Sequence, residues 1–170
     1  FSLIPYICAG EPLSLPSVSD DGVSGTWSPA IDNTVTTSYT FTPDPGECAL
    51  PTSTTVVVRP APTIDQIEDI TQCNGIPIDL TAVISGIGAS VVWSAPSGVF
   101  SNPNSTTTTF TPSITNGSVT ITAVVSSVIC TITNQEEFNV NLTESLIPSF
   151  SPILGICSGD VLSLPATSTN

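Results

Sequence analysis

The sequence predicts an all-β protein built from tandem sandwich modules. Three observations carry this. A pattern of Cys-x-Gly, an apolar residue at Cys+5 and Leu at Cys+7 occurs three times: Cys8-Ala9-Gly10 with Leu13 and Leu15, Cys73-Asn74-Gly75 with Ile78 and Leu80, and Cys157-Ser158-Gly159 with Leu162 and Leu164. Repetition at domain-sized intervals marks an array of modules. Short alternating or Thr-rich runs sit between turn clusters, and 16 prolines and 11 glycines punctuate them, as all-β domains require. Each of the first two copies is followed by a single tryptophan, Trp27 at 19 residues after Cys8 and Trp93 at 20 after Cys73.

The expected organisation is module one over residues 1–60, module two over 61–146, and the first strands of a third, truncated module over 147–170. In module one the strands are expected at residues 3–8, 12–15, 25–27, 38–42 and 54–59. Asp20-Asp21-Gly22 and Asp44-Pro45-Gly46 are the strong turns between them. In module two they are expected at residues 78–84, 90–94, 106–111, 118–126, 130–133 and 137–142, with Asn116-Gly117 as a hairpin signal. Residues 118–126 place Val119, Ile121, Ala123 and Val125 on one face, as in a sheet covered on one side. Two such sheets form a sandwich. Phe41-Thr42-Pro43 matches Phe110-Thr111-Pro112, so the extra length of module two is expected between Pro112 and Cys130. Arg59-Pro60-Ala61-Pro62 is a stiff connector, and the second junction falls within residues 141–152.

Composition narrows the function. Fourteen acidic residues face one basic residue, Arg59, with no His, for a net charge of −13. That balance argues against nucleic acid, which is bound by displacing counterions with Lys and Arg, and against an anionic membrane surface. No apolar run reaches the length of a spanning helix. Charged residues are only 9% of the chain, so it is not an acidic disordered tail. A surface of Ser, Thr and Asn over a β-rich interior fits an extracellular, cell-surface protein.

Modules this small bury thin cores and need a staple. The expected disulfides are Cys8–Cys48 and Cys73–Cys130, one per module, with Cys157 pairing beyond Asn170. Spacing alone does not fix connectivity, and buried free thiols are the alternative. A zinc site is disfavoured by the lack of His and of Cys-x-x-Cys spacing. Disulfides imply an oxidising compartment. One Cys pair around one core tryptophan, Trp27 or Trp93, makes the sandwiches immunoglobulin-like (Ig-like). No Tyr stands two residues before Cys48 or Cys130, so a true immunoglobulin domain is not implied.

Ile7-Cys8-x-Gly10 with Leu13-Ser14-Leu15-Pro16, then Gly25-Thr26-Trp27-Ser28-Pro29-Ala30, then Tyr39-Thr40-Phe41-Thr42-Pro43 with Gly46-x-Cys48-Ala49, resembles a repeat of giant cell-surface proteins of Bacteroidota. The resemblance is strong over module one, weaker over residues 63–144, and covers the start of module three. It implies an adhesin with many Ig-like repeats, of a group in which many members use type IX secretion and some are linked to gliding motility. It supplies no catalytic residues.

No hydrolase triad is possible without His, and no Schiff base without Lys, so no enzyme is expected. The acidic pairs Asp20-Asp21 and Glu136-Glu137 read as solvated charge rather than a glycosidase pair. Asp65, Glu68 and Asp69 follow the first linker and are weak calcium candidates, as carboxylates at a module junction; no other cofactor is expected. Tyr6, Tyr39 and Phe100 are candidates for a sugar-binding face, with core packing as the competing role. The expected function is a structural repeat of a surface fibre, filament or adhesin that gives reach and attachment. Its partners would be neighbouring repeats or copies of the same protein. The alternative is a secreted module that binds surface glycans or host proteins.

Overall fold

The computed structural model describes residues 6–144 and residue 149. The expected third module, Cys157 included, lies outside them apart from Ser149. Every element among the described residues is a strand.

Module one holds β1 (Ile7–Cys8), β2 (Gly25–Ser28), β3 (Thr37–Pro43), β4 (Thr52–Val56) and β5 (Val58–Arg59). β2, β3 and β4 form an antiparallel sheet in that order, with Trp27 opposite Phe41. The last strand resumes as β5 after Val57 and pairs in parallel with β1, placing Cys8 opposite Arg59. Residues 12–15 join no ladder. Pro12 and Pro16 bracket them and lack the N–H groups a ladder needs, yet Leu13 and Leu15 still pack on the core formed by Ile7, Tyr39 and Val56.

Module two holds β6 (Thr63–Ile64), β7 (Ile70–Cys73), β8 (Ile78–Thr81), β9 (Ile84–Ser85), β10 (Ala89–Ser94), β11 (Val99–Phe100), β12 (Thr107–Thr111), β13 (Gly117–Ser127) and β14 (Asn134–Thr143). One sheet runs β10-β13-β14-β7, the facing one β11-β12-β8, and β6 pairs with β9. Val119, Ile121, Ala123 and Val125 of β13 are buried while their neighbours are not. The first three of them close a core with Trp93, Phe110 and Phe138.

The topology corrects three expectations. Asn116-Gly117 is not a hairpin turn, because β12 and β13 lie in different sheets; the chain crosses between layers there. Residues 130–133 are loop, and the true hairpin joins β13 to β14. Phe41 and Phe110 are not equivalent: Phe41 lies beside the tryptophan strand, whereas Phe110 lies in the opposite sheet. The extra part of module two is therefore the β11–β12 pair, and β3 and β4 correspond to β13 and β14.

Candidate functional site

The region with the most chemistry is the junction between the modules. Its first half is the Cys-x-Gly turn. After β1, Ala9 donates to the Arg59 carbonyl (2.8 Å) and Glu11 to the Cys8 carbonyl (2.9 Å). Gly10 sits at φ 88°, a left-handed value that glycine adopts without a Cβ penalty. Asn33 braces the turn, accepting from Gly10 N–H (3.0 Å) and donating through Nδ2 to the Glu11 carbonyl (2.9 Å). β5 leaves for the linker beside this turn, so the turn sits at the end of module one that meets module two.

The second half is the β13–β14 loop. Ser127 Oγ donates to the Ile87 carbonyl (2.7 Å) and accepts from Ile129 N–H (3.2 Å), which fixes the loop entrance. Here the structure corrects the disulfide scheme. Cys8 bonds to Cys130 across the junction, with Cα atoms 5.6 Å apart at a sequence separation of 122. Cys48 and Cys73 are free and exposed. The expected intramodule pairs fail because the two cysteines of each module lie at opposite ends of it. Cys8 and Cys73 lie at the end where the last strand of their module finishes, whereas Cys48 and Cys130 precede the start of that strand at the opposite end.

Beside the disulfide lies a charged clasp. The Glu11 carboxylate accepts from Cys8 N–H through Oε2 (2.8 Å). Through Oε1 it accepts from the backbone N–H (2.5 Å) and hydroxyl (2.6 Å) of Thr131 in module two. The Cys8 backbone bond, followed by the two from Thr131, lowers its pKa from 4.5 to about 2, since donors to a carboxylate favour its ionised form. Pro62 of the linker is fully buried. Arg59, the chain's one cation, lies 4.2 Å over the Tyr6 ring, a cation–π contact.

Trp93 is buried in the module two core, stacked on Phe100 and edge-on to Phe138, each at 6.4 Å. Its Nε1 donates to the Ser105 carbonyl at 2.8 Å. Trp27 is only half-buried, 5.2 Å from Phe41, and donates to the Pro16 carbonyl. Neither packs on an intramodule disulfide as expected. The aromatic candidates are not brought together: Tyr6 lies under Arg59, Tyr39 is buried, and Phe100 packs on Phe110 at 4.8 Å.

Among the described residues no group of three His, Cys, Asp or Glu side chains could hold a metal ion. Asp65, Glu68 and Asp69 do not converge; Asp69 Oδ1 instead accepts from Asn139 N–H (2.7 Å) on β14. Glu136 accepts weakly from Ile67 N–H (3.4 Å) and Glu137 from Gln135 Nε2 (3.0 Å). A cleft of about 290 Å³ at the outer end of module one is lined by Asp21, Val23, Phe41, Ala49 and Leu50 among others.

Three features had weak or no sequence signal. Glu11 carries nothing in its own pattern, since the matching position in module two is Ile76. Thr131 is legible only as the neighbour of Cys130. Tyr39 closes a tyrosine corner, donating to the Asp32 carbonyl (3.0 Å) and accepting from its N–H (2.9 Å). Tyr39 stands next to neither cysteine of its module.

No family model matches the chain, and no sequence among the curated proteins matches it. Solved structures show loose likeness. A pair of tandem Ig domains of titin is 12% identical, with 71% of this chain and 74% of that one covered and a TM-score of 0.36. The insect immune protein hemolin is 16% identical, with 65% and 31% covered and a TM-score of 0.38. An endo-fucoidan hydrolase of glycoside hydrolase family 107 is 16% identical with a TM-score of 0.37; 66% of this chain is covered, but it spans only 19% of that enzyme.

Proposed function

We propose that this chain is a structural segment of an extracellular surface fibre or adhesin, in which Ig-like modules are locked end to end to give reach and attachment. The observation that carries the reading is the Cys8–Cys130 disulfide, which spends the covalent staple between modules instead of inside one. A fibre transmits force only as well as its junctions hold. This junction combines a disulfide, a carboxylate bridge and a proline linker. Each removes a freedom that a flexible connector would keep.

A disulfide of this kind belongs to an oxidising setting outside the cytosol. The resemblance of module one to repeats of giant Bacteroidota surface proteins supports the same role and suggests that source. The partners are other repeats of the same type, and the role is non-enzymatic; the absence of His and Lys from the chain supports this. Electron microscopy of the native material tests the proposal. A rod with a regular beaded repeat is expected, and compact particles would contradict it.

A further inference from the structure

We propose that Cys73 and Cys48 are halves of further inter-module disulfides. The cysteine that ends the first edge strand of one module bonds to the cysteine in the last hairpin loop of the next, so that every junction in the array is cross-linked as Cys8–Cys130 is. The inference rests on the repeat geometry and extends the fibre role to its neighbouring junctions.

The two free cysteines occupy the positions of the two bonded ones. Cys8 ends β1, which runs parallel to its module's last strand with Cys8 opposite Arg59. Cys73 ends β7, which runs parallel to its module's last strand with Cys73 opposite Thr143. The next residue then donates to the carbonyl of that partner in both modules, Ala9 to Arg59 at 2.8 Å and Asn74 to Thr143 at 2.9 Å. Both turns close on a left-handed glycine, Gly10 at φ 88° and Gly75 at φ 76°. Cys73 therefore stands at the exit of module two as Cys8 stands at the exit of module one. Cys8 is buried beneath the loop of its neighbour, whereas Cys73 is exposed.

The loop cysteines match in the same way. Cys130 lies between β13 and β14, four residues before Asn134 starts the last strand. Cys48 lies between β3 and β4, four residues before Thr52 starts the last strand of its module. It faces the end of module one that is remote from module two.

Side chains beside the free thiols also fit a covered surface. Leu50, two residues after Cys48, is 88% exposed, and Ile76, three after Cys73, is 48% exposed. Ile76 stands where Glu11 stands in module one, and Ala49 where Thr131 stands beside Cys130. An apolar contact would replace the carboxylate clasp at such a junction. The cleft lined by Val23, Phe41, Ala49 and Leu50 opens beside Cys48.

The chemistry is ordinary thiol–disulfide exchange. A small or enzymatic disulfide of the glutathione or oxidoreductase class accepts both electrons and both protons from the two protein thiols. It leaves as two thiols, and one S–S bond forms between modules.

The test is a longer chain in which residues 1–149 are followed by a complete second copy. Phe1 and Phe150 each lie seven residues before their cysteine, so this join keeps the native spacing. Cys157→Ser in the second copy removes the remaining competing thiol. The chain is oxidised with oxidised glutathione, free thiols are blocked with N-ethylmaleimide, and peptides are mapped without reduction. Formation of Cys8–Cys130 in both copies reports that the modules have folded. The expected map adds a bond from Cys73 of the first copy to Cys48 of the second, leaving Cys48 of the first and Cys73 of the second alkylated. With Cys48→Ser in the second copy, Cys73 of the first should be alkylated too. Alkylation of both central cysteines, or Cys48–Cys48 or Cys73–Cys73 pairing, overturns the inference while the fibre proposal keeps its formed junction. A map of Cys8–Cys48 and Cys73–Cys130 overturns both.

Discussion

Module two closes its core with twelve buried residues, among them Trp93, Phe110, Ile121 and Phe138. The described part of module one gathers only Ile7, Tyr39 and Val56, with Leu13, Leu15, Trp27 and Val58 packed around them half-covered. The difference follows from strand inventory. Module two has a second sheet, β11-β12-β8, facing the first. In module one the corresponding segment bearing Leu13 and Leu15 joins no ladder. A module with a thin core gains little stability of its own. The disulfide and the Glu11 clasp tie it to the better-packed neighbour, so module one's stability depends on the junction in a way that module two's does not.

Cutting the tie should separate the two modules most. Cys130→Ser removes a cross-link spanning 122 residues, worth about 5 kcal/mol in the chain-entropy model. Hydrogen exchange should then show module one opening at a much lower free energy while protection in β13 and β14 persists. Equal loss in both modules would break the comparison. Phe110→Ala addresses the other side. Phe110 is fully buried, so the cavity should cost about 3 to 5 kcal/mol. Urea unfolding followed by Trp93 fluorescence in a Trp27→Phe background should report that loss.

Tyr39→Phe keeps the ring in the module one core but leaves the Asp32 backbone N–H and carbonyl without the hydroxyl. A loss of about 1 to 2 kcal/mol is expected. In so thin a core it should appear as faster exchange throughout β3 and β4, with β13 unaffected.

The smallest effect concerns pH. Glu11 titrates at about 2 in the fold against an ordinary 4.5. A depressed carboxylate stabilises the fold fully above its unfolded pKa, and that contribution fades as pH falls from about 4.5 toward 2. Module one should loosen over that window, and Glu11→Gln should remove this part of the acid dependence. Thermal melts at pH 6 and pH 3 for both proteins would check it; an unchanged difference between the two pH values would count against the clasp.

The strand class and the core face of β13 were legible because the alternation over residues 118–126, interrupted only by Val124, has one physical meaning in a half-covered sheet. The Cys-x-Gly repeat was legible too, and it marks the turn at which each module's edge strand ends. The pairing of its cysteines was not. Cys8–Cys48 and Cys73–Cys130 close plausible loops, and nothing in spacing shows that both members of each pair sit at opposite ends of a sandwich. Only strand direction decides that: β5 and β14 carry the chain away from the loops that hold Cys48 and Cys130. Parallel strands such as β7 are equally hard to see, because four residues pair with a strand about 70 positions later and leave no local turn signal. The Phe-Thr-Pro match misled because similar residues fill different strands when one module lacks the β11–β12 pair.

The most direct measurement is a peptide map of the 170-residue chain, alkylated and digested without reduction. A Cys8 peptide joined to a Cys130 peptide, with Cys48 and Cys73 alkylated, is the result expected of modules locked to one another. Cys8 joined to Cys48 and Cys73 to Cys130 would mean that each module is stapled to itself, and the account of the junction would be wrong.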